Sequence, residues 1–253
     1  MKLAILIPTT SKNQPWKTFK DTYLYNLTIH SYLKTYSTHY NQKPLETMFY
    51  IGYDEDDSIW GNEEQRQKII RFLSIMKNIR CEFISMEGIR KGHLTKMWNR
   101  LFKKAYDNAC DYFFQCGDDI TFRTTEWVTE CIDTLQKHND IGLTGPMNNN
   151  SRILTQSMVS RKHMEIFGFF FPEEIMNWCC DDWYNFVYQP DFLFPLKNHL
   201  CTNDGGQERY EIDGDPKFRL FQTRQKIQKL RINTFNMAQN HKKLITEYIN
   251  IHQ

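Results

Sequence analysis

The sequence predicts an α/β fold with a mainly parallel central sheet, and three observations carry that reading. Apolar strand-like runs alternate with stretches of helical apolar spacing from residue 3 to residue 144, the pattern of βαβ units. The run at residues 3–8 (LAILIP) is apolar throughout, as a buried strand is. The aromatic run at residues 112–115 leads straight into two adjacent carboxylates, Asp118 and Asp119. Open α/β sheets place their ligands at such strand exits.

The elements follow in order. Residues 3–8 form the first strand, ending at Thr9-Thr10-Ser11. Residues 17–36 carry helical spacing through Phe19, Tyr23, Leu27 and Leu33. Residues 47–53 form a second strand that opens into Asp54-Glu55-Asp56-Asp57. A helix at 63–77 turns Ile69, Ile70, Leu73 and Met76 inward, and a third strand covers 81–86. A helix at 96–109 presents Met97, Leu101, Phe102 and Ala105 on one face. The strand before Asp118 comes next, then a helix at 126–137 and a short strand at 141–144. Crossovers between parallel strands are expected to be right-handed. Beyond about residue 145 the pattern loosens: a strand at 153–159, an aromatic, irregular stretch at 167–183, and basic amphipathic helices from 218 onward. These helices dock on the domain or lie on an anionic membrane, giving weak peripheral contact.

Composition narrows the function. The 253 residues suit one large domain or a domain with an appendage. Lys plus Arg number 32 against 30 Asp plus Glu, so no charge excess argues for nucleic acid as a partner. The seven cysteines are odd in number and show no C-x-x-C spacing, which argues against zinc and disulfides and for reduced thiols. The apolar run near the N-terminus is too short for a secretory signal, and no run approaches ~20 residues. A cytoplasmic location is therefore expected. The first strand is followed by no G-x-G-x-x-G, and the chain has neither a P-loop nor a G-x-S-x-G elbow.

Four constellations carry chemistry. Asp118 and Asp119 offer hard oxygens to Mg²⁺ or Mn²⁺; an acidic surface turn is the alternative. The cluster at 54–57 either presents Asp54 to a base or ribose or forms a solvated turn that caps the next helix. Asp181 and Asp182 sit among Trp178, Trp183 and Phe186, whose desolvation raises a carboxylate toward general-base range. One of the two alternatively caps a helix. The basic stretch 91–100 is either a solvated face or a diphosphate-steering helix start, with Lys96 and Asn99 one turn apart. His199 becomes a candidate only as a third metal ligand.

Taken together, these residues resemble glycosyltransferases of the GT-A fold, similar to the inverting family 2 enzymes and, in overall look, to small glycosyltransferases of large DNA viruses. The matching parts are Ile5-Leu6-Ile7-Pro8-Thr9, Asp54, the helix with Lys96 and Asn99, Gly117-Asp118-Asp119, and Asp181-Asp182 about sixty residues on. The resemblance covers roughly residues 1 to 190. It implies an αβα sandwich with C-terminal helices. The expected division is a catalytic domain over 1–215 (nucleotide-binding half about 1–122, acceptor half about 123–215) and a helical extension over 216–253.

It also implies a metal-dependent transfer of a sugar from a nucleotide-sugar, a UDP-sugar, to a glycan or other hydroxyl acceptor, with inversion. By resemblance, Asp119 falls on the last position of the family's Asp-x-Asp motif and chelates Mn²⁺ or Mg²⁺. Gly117 occupies the first position, which leaves Asp118 as the substitute. Asp182 falls on the general-base position with Asp181 beside it. Pro8, Thr9, Thr10, Asp54, Lys96, Asn99 and Asp118 are the expected donor contacts, and His199 the further metal ligand. A sugar nucleotidyltransferase and a non-catalytic nucleotide-sugar or glycan-binding relative are the alternatives. The first lacks its Gly-rich loop here, and the second is motivated by Gly117.

Overall fold

β1 (Lys2–Thr9) lies where its composition demands, inside the sheet with every residue but Lys2 buried. The structure, a computed structural model, describes residues 1–206, 209 and 220–252. β1 pairs in parallel with β4 (Glu46–Tyr53) on one side and with β6 (Tyr112–Gln115) on the other. β5 (Ile79–Ser85) extends the sheet in parallel beyond β4. Past β6 come β9 (Ser157–Ser160), β8 (Leu143–Met147), β10 (Leu193–Asn203) and β7 (Ile120–Phe122). Of these, β9 and β7 run antiparallel to their neighbours. The eight-stranded order is β5-β4-β1-β6-β9-β8-β10-β7. A separate hairpin joins β2 (His39–Tyr40) to β3 (Lys43–Pro44) through Asn41 and Gln42, both at positive φ. Those φ values are the ones a tight hairpin turn needs.

Strand residues alternate between the two faces, and the core divides accordingly. Leu3, Ile5 and Ile7 face a cluster built with α2 (Glu63–Ser74) and α4 (Trp127–Lys137). Ala4 and Leu6 face the other cluster. That one is built with α3 (Leu94–Asp107), α5 (Lys162–Phe167), α6 (Cys180–Tyr188) and α7 (Leu220–His252). The result is the expected αβα sandwich with a mainly parallel sheet.

Three expectations change. The helix foreseen at 17–36 breaks into a 3-10 turn (Phe19–Asp21), a π turn (Leu24–Ile29) and α1 (His30–Thr35). Within the wider turn the buried Thr28 hydroxyl both accepts from Ile120 N and donates to Ile120 O, tying this segment to β7. β10 has no counterpart in the sequence reading. It contains Pro195 and changes register between Leu196 and Leu200, so no clean alternation marks it. The C-terminal helices are one helix, α7. The start at 218 and the boundary at 215/216 lie outside the described residues.

α7 docks rather than floats. Thr234, Ala238 and Ile245 are buried, and Phe235 meets Phe186 edge-on at 5.2 Å. Trp183 Nε1 donates to His241 Nδ1, and Lys242 Nζ donates to Gln189 O. Among the described residues no helix is long and apolar enough to cross a membrane.

Candidate functional site

At the carboxyl edge of β1 and β6 the chain opens a cavity of about 780 Å³. Pro8 and Thr10 line it from the end of β1, and Gly117, Asp118 and Asp119 from the loop between β6 and β7. Cys180, Asp181 and Asp182, the first turn of α6, face them. Arg224, Ile227, Gln228 and Arg231 close it from α7. The two carboxylate pairs singled out from sequence thus share one cavity.

Asp118 is buried and held from several directions. Thr9 Oγ1 donates to its Oδ2 at 2.6 Å. Arg209 forks across both carboxylate oxygens, with Nη1 at 2.8 Å from Oδ2 and Nη2 bonded to Oδ1. Arg209 Nη1 also donates to Thr10 O at 2.9 Å, and Nη2 stands 3.7 Å from Asp119 Oδ2. Asp119 accepts from Asn203 Nδ2 at 3.2 Å. Burial first, and then the neighbouring Asp118 charge, pushes the Asp119 carboxyl above its usual range.

The glycine at position 117 has a steric reason. A Cβ there would lie 2.6 Å from Asp119 Oδ1, and one on Gly205 would lie 2.4 Å from Asp119 Oδ2. The backbones at 117 and 205 both pack closely on the Asp119 side chain, and a side chain at 117 would require the Asp119 carboxylate to shift.

Asp181 and Asp182 enter α6 through Cys179, whose φ of 69° is left-handed. Their place in the first turn suits the helix dipole. Asp181 keeps part of its surface open. Burial, reinforced by the Asp182 charge, moves its carboxyl up to about 7. Asp182 is buried, and Arg231 Nε stands 2.7 Å from its Oδ1, an ion pair outside hydrogen-bond angles.

Other candidates go elsewhere. Lys96 pairs with Glu173 at 3.4 Å, and Asn99 Oδ1 accepts from the backbone N–H groups of Phe170 and Phe171. That pair secures the aromatic loop after α5, while Leu94 and Trp98 of the same helix reach the cavity. Asp54 is buried just past β4 and does not line the cavity. Its neighbour Asp57 ties the loop after β1, accepting from Thr10 Oγ1, Ser11 N and Ser11 Oγ. His199 is no third ligand in this arrangement: its ring nitrogens lie 3.1 Å from Thr124 Oγ1 and 2.7 Å from Glu130 Oε2.

Arg209, Arg231 and Asn203 escaped the sequence reading. The Gly205-Gly206 pair was the available signal, since adjacent glycines mark close backbone approach.

The donor set fits a hard cation. Asp118 and Asp119 supply two carboxylates, and Mg²⁺-type ions bind through one or two carboxylates plus substrate phosphates. Among the described residues no group of three or more His, Cys, Asp or Glu gathers here.

No family model matches the sequence, and no curated protein matches it. Solved structures do match. S. aureus TarS 1–349 in complex with UDP-GlcNAc aligns over 100% of this chain and 72% of its own, at 12% identity and TM-score 0.55. The same fragment with UDP aligns over 80% and 60%, at 13% identity and TM-score 0.52. GalNAc-T7 with UDP, GalNAc and Mn²⁺ aligns over 83% and 45%, at 11% identity and TM-score 0.55. The chain thus spans 60% of the UDP-bound TarS fragment and less than half of the GalNAc-T7 chain. At these identities the likeness is one of fold alone, a GT-A type αβα sandwich.

Proposed function

We propose that this protein is a glycosyltransferase that moves a sugar from a UDP-sugar to an acceptor hydroxyl with inversion. One observation carries the reading: a single cavity joins Asp118-Asp119 at the sheet edge to Asp181-Asp182 at the start of α6. The first pair suits a nucleotide diphosphate with its cation, the second a proton acceptor. The fold shared with TarS and GalNAc-T7, solved with UDP-GlcNAc and with UDP, GalNAc and Mn²⁺, supports it.

In this scheme Pro8 and Thr10 border the nucleotide, and Asp118 and Asp119 hold Mn²⁺ or Mg²⁺. Bound there, the ion supplies Lewis-acid neutralisation of the departing diphosphate. Asp181 takes the acceptor hydroxyl's proton as that oxygen attacks the anomeric carbon from the face opposite the diphosphate. The sequence pointed to Asp182 for this role. Asp181 is better suited, because it is the more exposed of the two and its carboxyl titrates near neutrality. Asp182, against Arg231, fixes α7 to the mouth of α6.

The test is release of UDP from a panel of UDP-sugars with Mn²⁺ present, alongside melting of the protein with each. Absence of both stabilisation by UDP and turnover of every UDP-sugar in the panel would overturn the proposal.

A further inference from the structure

Arg209 occupies the place beside Asp118 and Asp119 where a cation belongs. Its guanidinium takes both oxygens of Asp118 and reaches to 3.7 Å from Asp119 Oδ2. It is itself well covered: the Arg209 side chain is 12% exposed and that of Asp118 1%. The fork is held further by Thr10 O and by the Tyr23 ring, 5.6 Å from the guanidinium carbon. Thr9 Oγ1 takes another lone pair of Asp118 Oδ2. An ionised carboxylate has about four acceptor positions, and three are used. With the fork in place a divalent ion would find only the last of these positions on Asp118 and would meet a positive charge at contact distance.

From this geometry we infer that Arg209 and a divalent cation are alternative occupants of the Asp118-Asp119 pair. The exchange is driven by the nucleotide: the guanidinium leaves Asp118 for the incoming diphosphate as the ion takes the carboxylates. The inference rests on the nucleotide-sugar reading of this cavity and adds the residue that couples cation to donor. Charge favours the exchange. The two carboxylates carry −2, and Arg209 returns only +1 of that. After exchange the ion balances the carboxylates, and the guanidinium meets phosphate oxygens, which its planar fork fits as well as it fits a carboxylate. The cation and the nucleotide then bind with positive coupling, and each tightens the other by the same factor.

The test titrates Mn²⁺ into the full chain, reading free Mn²⁺ by electron paramagnetic resonance, and UDP by calorimetry. Wild type is expected to bind Mn²⁺ weakly alone and roughly tenfold or more tightly with UDP present, within the usual range of coupling between two ligands. Arg209→Ala is expected to bind Mn²⁺ alone about tenfold more tightly than wild type and UDP about tenfold more weakly at saturating Mn²⁺, from loss of the charged fork. Arg209→Lys retains one charge without the fork, so its Mn²⁺ affinity falls between the two. It also serves as the comparison if the Ala variant does not fold. A purely structural Arg209 would not raise metal affinity on removal. The inference is overturned if wild type binds Mn²⁺ without nucleotide as tightly as the variants while UDP binding is normal in all. If wild type binds no UDP even with Mn²⁺, the nucleotide-sugar reading fails first and this inference with it.

Discussion

Replacing Asp181 by Asn separates what that carboxylate does for turnover from what it does to the fold. Burial first, and the Asp182 charge second, carry its carboxyl from 3.8 to about 7. The folded chain therefore keeps a proton that the unfolded chain gives up between about pH 4 and about pH 7. Because the folded value is the raised one, the stabilising effect is complete below about pH 4 and is lost as pH rises toward 7. The displacement is just over three pH units, and at about 1.4 kcal/mol per unit its ceiling is roughly 4 kcal/mol. Asp181 keeps some surface open to the cavity, where solvent screens it, so about 1–3 kcal/mol is the working expectation. Asp181→Asn should match wild type in stability near pH 4 and exceed it by that amount near pH 8. Its turnover should fall by about 10²–10⁴, as for loss of a general base. Urea unfolding of both proteins across this pH range, with UDP-release rates at each pH, measures both effects. A stability difference that stays flat with pH would refute the burial argument, and unchanged turnover would refute the role of Asp181 as base.

Three further outcomes follow from the geometry. Asp119→Ala should remove the Mn²⁺ dependence of UDP affinity in calorimetry, and an unchanged metal response would sink the assignment of that carboxylate. Gly117→Asp, which would fill the first position of an Asp-x-Asp motif, puts a Cβ 2.6 Å from Asp119 Oδ1. It should destabilise by about 1–3 kcal/mol through overpacking, and an unshifted melting temperature would show that the packing on Asp119 is loose. Removing residues 224–253 should lower stability by uncovering the apolar surface around Trp183, while the full chain should not sediment with anionic vesicles at moderate salt. The opposite pair of results would make α7 a membrane-surface helix instead of a docked one.

The central parallel strands β1, β4 and β6 were legible because they are largely buried and read as apolar runs. The helices facing them showed their periodicity for the same reason, as in α3, where Met97, Leu101, Phe102 and Ala105 are all buried. The carboxylate pairs were legible because each sits where an element begins or ends. What stayed hidden depends on distant contacts. β10 gains its place only through β8 and β7, and Lys197, Asn198 and His199 break any apolar rhythm within it. Asn99 looked like a binding residue because its spacing from Lys96 is helical, yet its partners, the amides of Phe170 and Phe171, are 71 and 72 residues away. Arg209 lies 91 residues from Asp118, and no local pattern announces that pairing.

That separation shapes how the site is assembled. The acidic groups of the cavity come from two local features, the loop after β6 and the first turn of α6. The cations against them, Arg209 and Arg231, come from later in the chain. A buried carboxylate without a partner is costly, so each acidic feature depends on residues that the sequence division had placed at the end of the acceptor half or in the extension. α7 contributes Arg231 against Asp182, His241 against Trp183, and Ile227 and Gln228 to the cavity wall. Removing it would take away a wall of the cavity together with the counter-charge of Asp182. The C-terminal helix is therefore part of the site it covers, and loss of activity on truncation should accompany loss of stability instead of preceding it.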